Sequence, residues 1–436
     1  MRTEAMGREE RESGFGCLKK GASRNPLSLS SLPMASVLIH PLLFSLLLLL
    51  HTSFSLLQTP EEFPPSVLLP ISKDGPSGQY LAQIHHGNPL GLAHLVFDLG
   101  SPFVWTDCGS SRPTSLTCRS IQCSAATSAS CPAASSAVAP PPCTLSLQNP
   151  VTGESASGEL VEDGVVLALD DEGPIAAVDG FLLSCAPSIL LKGLASGARG
   201  VLGFGRTRIG APEQISHSFG YSKKFFLCLS SSNGMIFSGE GLNLDFSKSL
   251  IYTPLLNGDD YSINLKAIQI QNKKLSLGLP NKISQFGSIK VSTISRYSTM
   301  KSEIYRVFLR AFTMGAESQN LTLVQPVAPF GACFRSGSSG SVPVIDLLLQ
   351  SEMVKWRIHG HNSMVKVSDD VMCLGFLDGG DNLGNSIVLG GHQLEDNLLE
   401  FDLGTSMLGF SSSLVMKKTS CSQLTSSALQ KHIQAL

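Results

Sequence analysis

The chain has 436 residues, a formal net charge of −2 and only 15% charged residues, well under the roughly 25% usual for a globular protein. A nucleic-acid-binding surface is excluded by the lack of basic excess, and 41 Gly and 24 Pro favour many short strands and turns over long helices.

The first 55 residues read as a leader. Residues 1–33 are polar and charged, and the apolar run Leu42–Leu50 is followed by small and polar residues through Ser55. Such a run suits a secretory signal peptide; a membrane-spanning helix needs about 20 apolar residues. A signal anchor is the alternative, and Met34 is a second candidate start. Loss of residues 1–55 removes six basic and four acidic residues and takes the formal charge from −2 to −4. No membrane attachment is expected after cleavage.

Next comes a Pro-rich entry (60–70), then short apolar segments in alternation: Tyr80–His85, Leu95–Phe97, Phe103–Trp105, Gly164–Leu169 and Phe225–Leu229. Residues 124–142, rich in Ala, Ser and Pro, are expected to form a solvated loop without regular structure. Leu190–Ser196 and Pro212–Phe219 read as short helices. A second alternating pattern starts at Tyr261–Ile270, and a domain boundary near 255 gives an N-terminal lobe over 62–255 and a C-terminal lobe over 256–425. Over Ser302–Phe312, Ile304, Val307, Phe308 and Ala311 fall at helical spacing, as on a core-facing helix.

Eleven cysteines are present. Cys17 leaves with the leader, and the remaining ten imply up to five disulfides in an oxidising compartment. Cys108, Cys118, Cys123, Cys131 and Cys143 crowd one loop, so at least one must pair outside it, with Cys185 the nearest candidate. The alternative, a zinc cluster, lacks Cys-x-x-Cys pairs. No metal site and no cofactor are expected. Asn320-Leu321-Thr322 is a glycosylation sequon after the helix.

The most informative segment is His94–Trp105: a strand, the turn Asp98-Leu99-Gly100-Ser101 and a second strand. Alone, Asp-x-Gly is a turn signal. Together with Ser184–Pro187, Gly200–Arg208, Val327–Cys333, Ser341–Leu347, Ile387–Asn397 and Phe401–Phe410, it resembles the plant pepsin-fold proteins: xylanase inhibitors, xyloglucanase-inhibiting extracellular glycoproteins and basic 7S globulins. The resemblance runs from about 62 to 425 and implies an all-β, bilobal pepsin-like aspartic peptidase fold with a few short helices. It also implies the bridges Cys108–Cys185, Cys228–Cys421 and Cys333–Cys373, with two more among Cys118, Cys123, Cys131 and Cys143.

The same resemblance makes Asp98 a vestigial first catalytic aspartate and puts Ser292, in Val291–Ser295, where the second should stand. Peptidases of this type need two carboxylates sharing one proton. Leu99 stands where active members carry a bracing Thr, and no tyrosine occurs between Tyr80 and Tyr221 to serve as the flap residue, the flap being expected over Glu154–Leu160. Asp402, in a near copy of the first loop, and Asp346 are rejected as second catalysts because they fall on strands away from the pair.

The implied function is protein binding, with secreted glycoside hydrolases as partners, in the extracellular space or cell wall. An active aspartic endopeptidase and a globulin-like storage or ligand-binding protein are the alternatives. Xylanase inhibitors carry a blocking histidine just before the last cysteine; Ser411–Cys421 has none, leaving Lys417 or Lys418. Xyloglucanase inhibitors carry arginines near the positions of Leu323 and Met407, both apolar here. His359 and His392 are read as structural.

Overall fold

The computed structural model describes residues 66–109, 113–127, 140–170, 173–239, 249–276, 286–337 and 339–435. The leader, Cys17 and Cys131 lie outside these residues.

The fold is built from strands and a few short helices. Among the described residues the largest sheet has 14 strands. One end is a run in the order Ile251–Pro254, Met407–Phe410, Leu398–Asp402, Lys224–Cys228, Asn233–Gly239 and Ser66–Lys73. Segments from both halves of the chain therefore share one ladder. Cys228, on this sheet, is bridged to Cys421 at the head of the last helix. Beneath it lies an aromatic cluster: Phe204 meets Phe97 and Phe225 edge-on at 5.1 Å each, Phe225 stacks on Phe401 at 4.8 Å, and Tyr261 meets Phe401 at 4.5 Å. Such pairs add about 0.5–1.5 kcal/mol each beyond area burial. Phe97 lies on the strand that ends at Asp98, so the cluster anchors that strand.

Each half contains the same four-strand knot. In the first, Gly91–Asp98 runs parallel to Ala198–Gly203, which is antiparallel to Trp105–Thr106, which is parallel to Gly173–Cys185. In the second, Gly287–Val291 runs parallel to Ile387–Leu389, which is antiparallel to Ser298–Met300, which is parallel to Phe376–Asp378.

Several sequence expectations are corrected. The alternating stretch Tyr261–Ile270 is not one strand: Ser262–Leu265 pairs with Gly287–Val291, and Ala267–Ile270 joins a different sheet beside Ile345–Leu348. Alternation reports a buried face and is blind to a change of partner between two sheets. Part of the Ala/Ser-rich stretch is helical: Ile121–Ala126 forms a helix whose Cys123 N–H is capped by Ser120 Oγ at 3.0 Å. Leu190–Ser196 holds only the end of a 3-10 turn, Ser188–Leu191, while the helix after residue 300 runs Ser302–Ser318.

The bridges Cys108–Cys185, Cys123–Cys143, Cys228–Cys421 and Cys333–Cys373 are present. Cys118 is disulfide-bonded as well.

Candidate functional site

A cleft of about 550 Å³ runs between the halves. Asp98, Ser101, Phe103 and Trp105 line it from the first half, Lys290, Ser292, Ile294 and Ser295 from the second, and Ser146, Gln148, Pro150 and Ser155 from an overhanging hairpin.

Register sets the correspondence between the halves. Phe97 is opposite Leu202 and Asp98 opposite Gly203; Val291 is opposite Leu389, so Ser292 falls level with Gly390. The glycines agree. A β-carbon on Gly203 would lie 2.1 Å from the Phe103 carbonyl oxygen, and one on Gly390 would lie 2.6 Å from that of Tyr297. Each contact is five residues beyond the matched position, and neither backbone can give way. Ser292 thus occupies in the second half the place that Asp98 occupies in the first.

Asp98 is only 4% exposed. Its Oδ1 accepts the Gly100 N–H at 2.8 Å and its Oδ2 the Ser101 hydroxyl at 2.7 Å. Burial pushes this carboxyl above its ordinary value; the Gly100 and Ser101 hydrogen bonds and the Lys290 charge oppose that. In the second half the turn survives without the acid. Ser292 Oγ accepts the Ser295 N–H at 3.2 Å, and Ile294 stands where the first half has Gly100.

Thr293 was not singled out from the sequence. Its Oγ1 donates to the Phe97 carbonyl at 2.9 Å and accepts the Leu99 N–H at 3.3 Å. It braces the first loop from the second. The reciprocal brace is missing, because Leu99 has no hydroxyl and is fully buried. Lys290 was missed too, although period-two alternation from Ser292 puts it on the cleft side of its strand. Its Nζ lies 3.4 Å from Asp260 Oδ2.

The overhanging hairpin is Thr144–Gln148 with Ser155–Asp170. Its cleft-lining residues come from both strands and the tip, not from 154–160 alone. Asn149 ties the tip down. Its amide donates to the carbonyls of Leu190 (2.7 Å) and Lys192 (2.8 Å), and its Oδ1 accepts the N–H groups of Val151 and Thr152. Trp105 is buried and its indole N–H has no hydrogen-bond partner among the described residues.

None of the other candidate residues lines this cleft. Leu323 is exposed on the short strand paired to Cys333–Arg335. Met407 pairs with Pro254 at one end of a ladder whose other end is Ile251–Phe410. Lys417 Nζ donates to Ser249 Oγ, beyond that other end, and Lys418 is exposed with φ +60°. Asn320 is exposed, with φ +63°, just past the helix end. Asp402 accepts the Thr405 N–H in a hairpin turn, and buried Asp346 is held by Arg357 at 2.7 Å; neither is in the cleft. His392 Nε2 is 3.0 Å from the Met364 carbonyl, and burial lowers the affinity of His359 for its proton.

A strand-rich fold of two matched halves around a cleft, with Asp-x-Gly-Ser at its base, defines the pepsin-like class. Comparison with known proteins places the chain within it. The family described as Xylanase inhibitor N-terminal matches residues 80–240 and Xylanase inhibitor C-terminal matches 260–412; the chain belongs to this family. It is 38% identical to Probable aspartic proteinase GIP2 of Nicotiana benthamiana, covering 89% of this chain and 98% of that protein. It is also 38% identical to Gamma conglutin 1 of Prunus dulcis, covering 89% and 97%. The solved structure of edgp matches with a TM-score of 0.74 at 39% identity, covering 84% of this chain and 99% of that one. Basic 7S globulin from soybean matches with a TM-score of 0.73 at 33% identity, covering 82% and 98%.

Proposed function

We propose that this chain is a secreted, non-proteolytic member of its family that works by binding another protein, with secreted glycoside hydrolases as the target class. The observation that carries the first part is Ser292 at the place matched to Asp98. A hydroxyl there does not ionise near neutral pH, so the shared-proton pair cannot form. The leader, the paired cysteines and the exposed Asn320 sequon support export and glycosylation.

The target class rests on the family. The relatives' arginine and histidine plugs have no counterpart: Leu323 and Met407 are uncharged, and pressing them against ionised carboxylates would leave buried charge unpaired. Inhibition of the enzymes those relatives block is therefore expected to be weak, or to depend on Lys417 and Lys418.

The experiment is a binding and inhibition screen of the secreted protein against a panel of xylanases and xyloglucanases. It compares wild type with Leu323→Arg/Met407→Arg and Lys417→Ala/Lys418→Ala. Saturable binding to one or more enzymes supports the reading. Binding to none favours a storage or ligand-binding role, in line with the gamma conglutin and basic 7S globulin relatives. Tight xyloglucanase inhibition unchanged in both double variants would refute this account of the interface.

A further inference from the structure

The second half-site differs from the first at 292, and also two residues earlier. In the first half that position is Val96, buried among apolar side chains. In the second it is Lys290, flanked by Ile289 and Val291, both fully buried on the other face. A β-carbon placed on Gly100 would lie 3.3 Å from Asp98 Oδ1 and 3.8 Å from Lys290 Nζ. The ammonium thus meets the Asp98 loop across the cleft. On its other side stands Asp260, fixed by the Ser262 hydroxyl at 2.9 Å from its Oδ1. Asp260 and Asp98 are the carboxylates facing Lys290 among the described residues; Ser292, Ile294, Ser295 and Val388 line the cleft around it.

We propose that Lys290 is a resident counter-ion that bars acid–base chemistry from this cleft, independently of the missing carboxylate at 292. This rests on the reading that the cleft does not cleave peptides. A two-carboxylate site works because one proton is shared. The ionised member takes a proton from the attacking water, while the proton of the other passes to the carbonyl oxygen. An ammonium facing such a pair favours the ionised form of both carboxylates and depletes the proton that the carbonyl needs. Placing aspartate at 292 would then add a third carboxylate around Lys290, beside Asp98 and Asp260, and not make a peptidase pair. Lys290 is only one-third exposed, and Asp260, held in place by Ser262, makes its charge tolerable there. The cation is therefore part of the site's construction.

The test follows the Asp98 carboxyl by ¹³C NMR titration, assigned with Asp98→Asn, in wild type, Lys290→Val, Lys290→Met and Lys290→Arg. The two neutral variants guard against a single folding failure, and the arginine keeps the charge. Neutralisation is expected to raise the Asp98 midpoint by about one unit, and Lys290→Arg to leave it in place. A second arm measures binding of a peptide carrying a hydroxyl isostere at its scissile position. Ser292→Asp/Lys290→Val is expected to bind about tenfold tighter than Ser292→Asp alone. An unmoved midpoint in both neutral variants, or equal binding in the second arm, overturns the proposal while leaving the non-proteolytic reading intact. Proteolysis by the wild type that vanishes in Asp98→Ala overturns that reading, and the proposal with it.

Discussion

The first and second half-sites share a backbone and differ in what it carries. Both end a strand opposite a glycine that presses on the backbone five residues past the site position. Both turn through a serine that hydrogen-bonds back to the residue at that position. The first presents Asp98, Leu99 and Gly100, the second Ser292, Thr293 and Ile294, with Lys290 where the first has Val96. Close backbone packing is a requirement of the fold and is kept twice. The side chains at 98–100 and 292–294 are not, and only Thr293 of the pair Leu99/Thr293 braces the opposite loop.

The comparison breaks first if the glycines are not equivalent. Gly203→Ala and Gly390→Ala each force a methyl group into backbone and are expected to cost about 3 kcal/mol or more. Denaturant unfolding should show both; one variant of near wild-type stability would end the claim of matched halves. Thr293→Val removes two hydrogen bonds and strands the buried Leu99 N–H, at about 1–3 kcal/mol. A smaller loss, measured the same way, would mean that the brace is dispensable.

A weaker, pH-dependent effect concerns the polar hub where the first strands meet the second half. Burial disfavours the Glu395 carboxylate. His392, Lys73 and the Tyr80 hydroxyl surround it, and His392 and Lys73 hold it below its ordinary value of 4.5. A folded-state value below the unfolded one gives stability that is present above 4.5 and lost as pH falls through the depressed value. His361 has the opposite sign. Its hydrogen bond to Asp396 raises it above 6.5, against burial, so its contribution is present below 6.5 and lost as pH rises through the raised value. Melting temperature against pH should flatten on its acid side in Glu395→Gln and on its neutral side in His361→Gln. Unchanged profiles would remove the hub from the account.

Asp98 drew notice in the sequence because strand, turn and strand are consecutive there, and Ser292 only through the family resemblance; the structure sets the two at matched register positions. Lys290 and Thr293 were missed because their meaning lies in contacts with Gly100, Phe97 and Leu99, nearly 200 residues away. Alternation at 290 and 292 was the available signal for Lys290. The split of Tyr261–Ile270 was illegible for a related reason: Lys266 separates two segments of similar pattern that pair with partners far along the chain. The helix Ile121–Ala126 was hidden by a composition that suggests loop, although Ser120 is an N-cap signal.

The central claim is that the cleft keeps a carboxylate without a peptidase. The most direct measurement is cleavage of a denatured protein substrate at acid pH by the purified wild type and by Asp98→Ala, with and without pepstatin. No wild-type turnover above that of Asp98→Ala is the result this account predicts. Pepstatin-sensitive turnover that disappears in Asp98→Ala would contradict it.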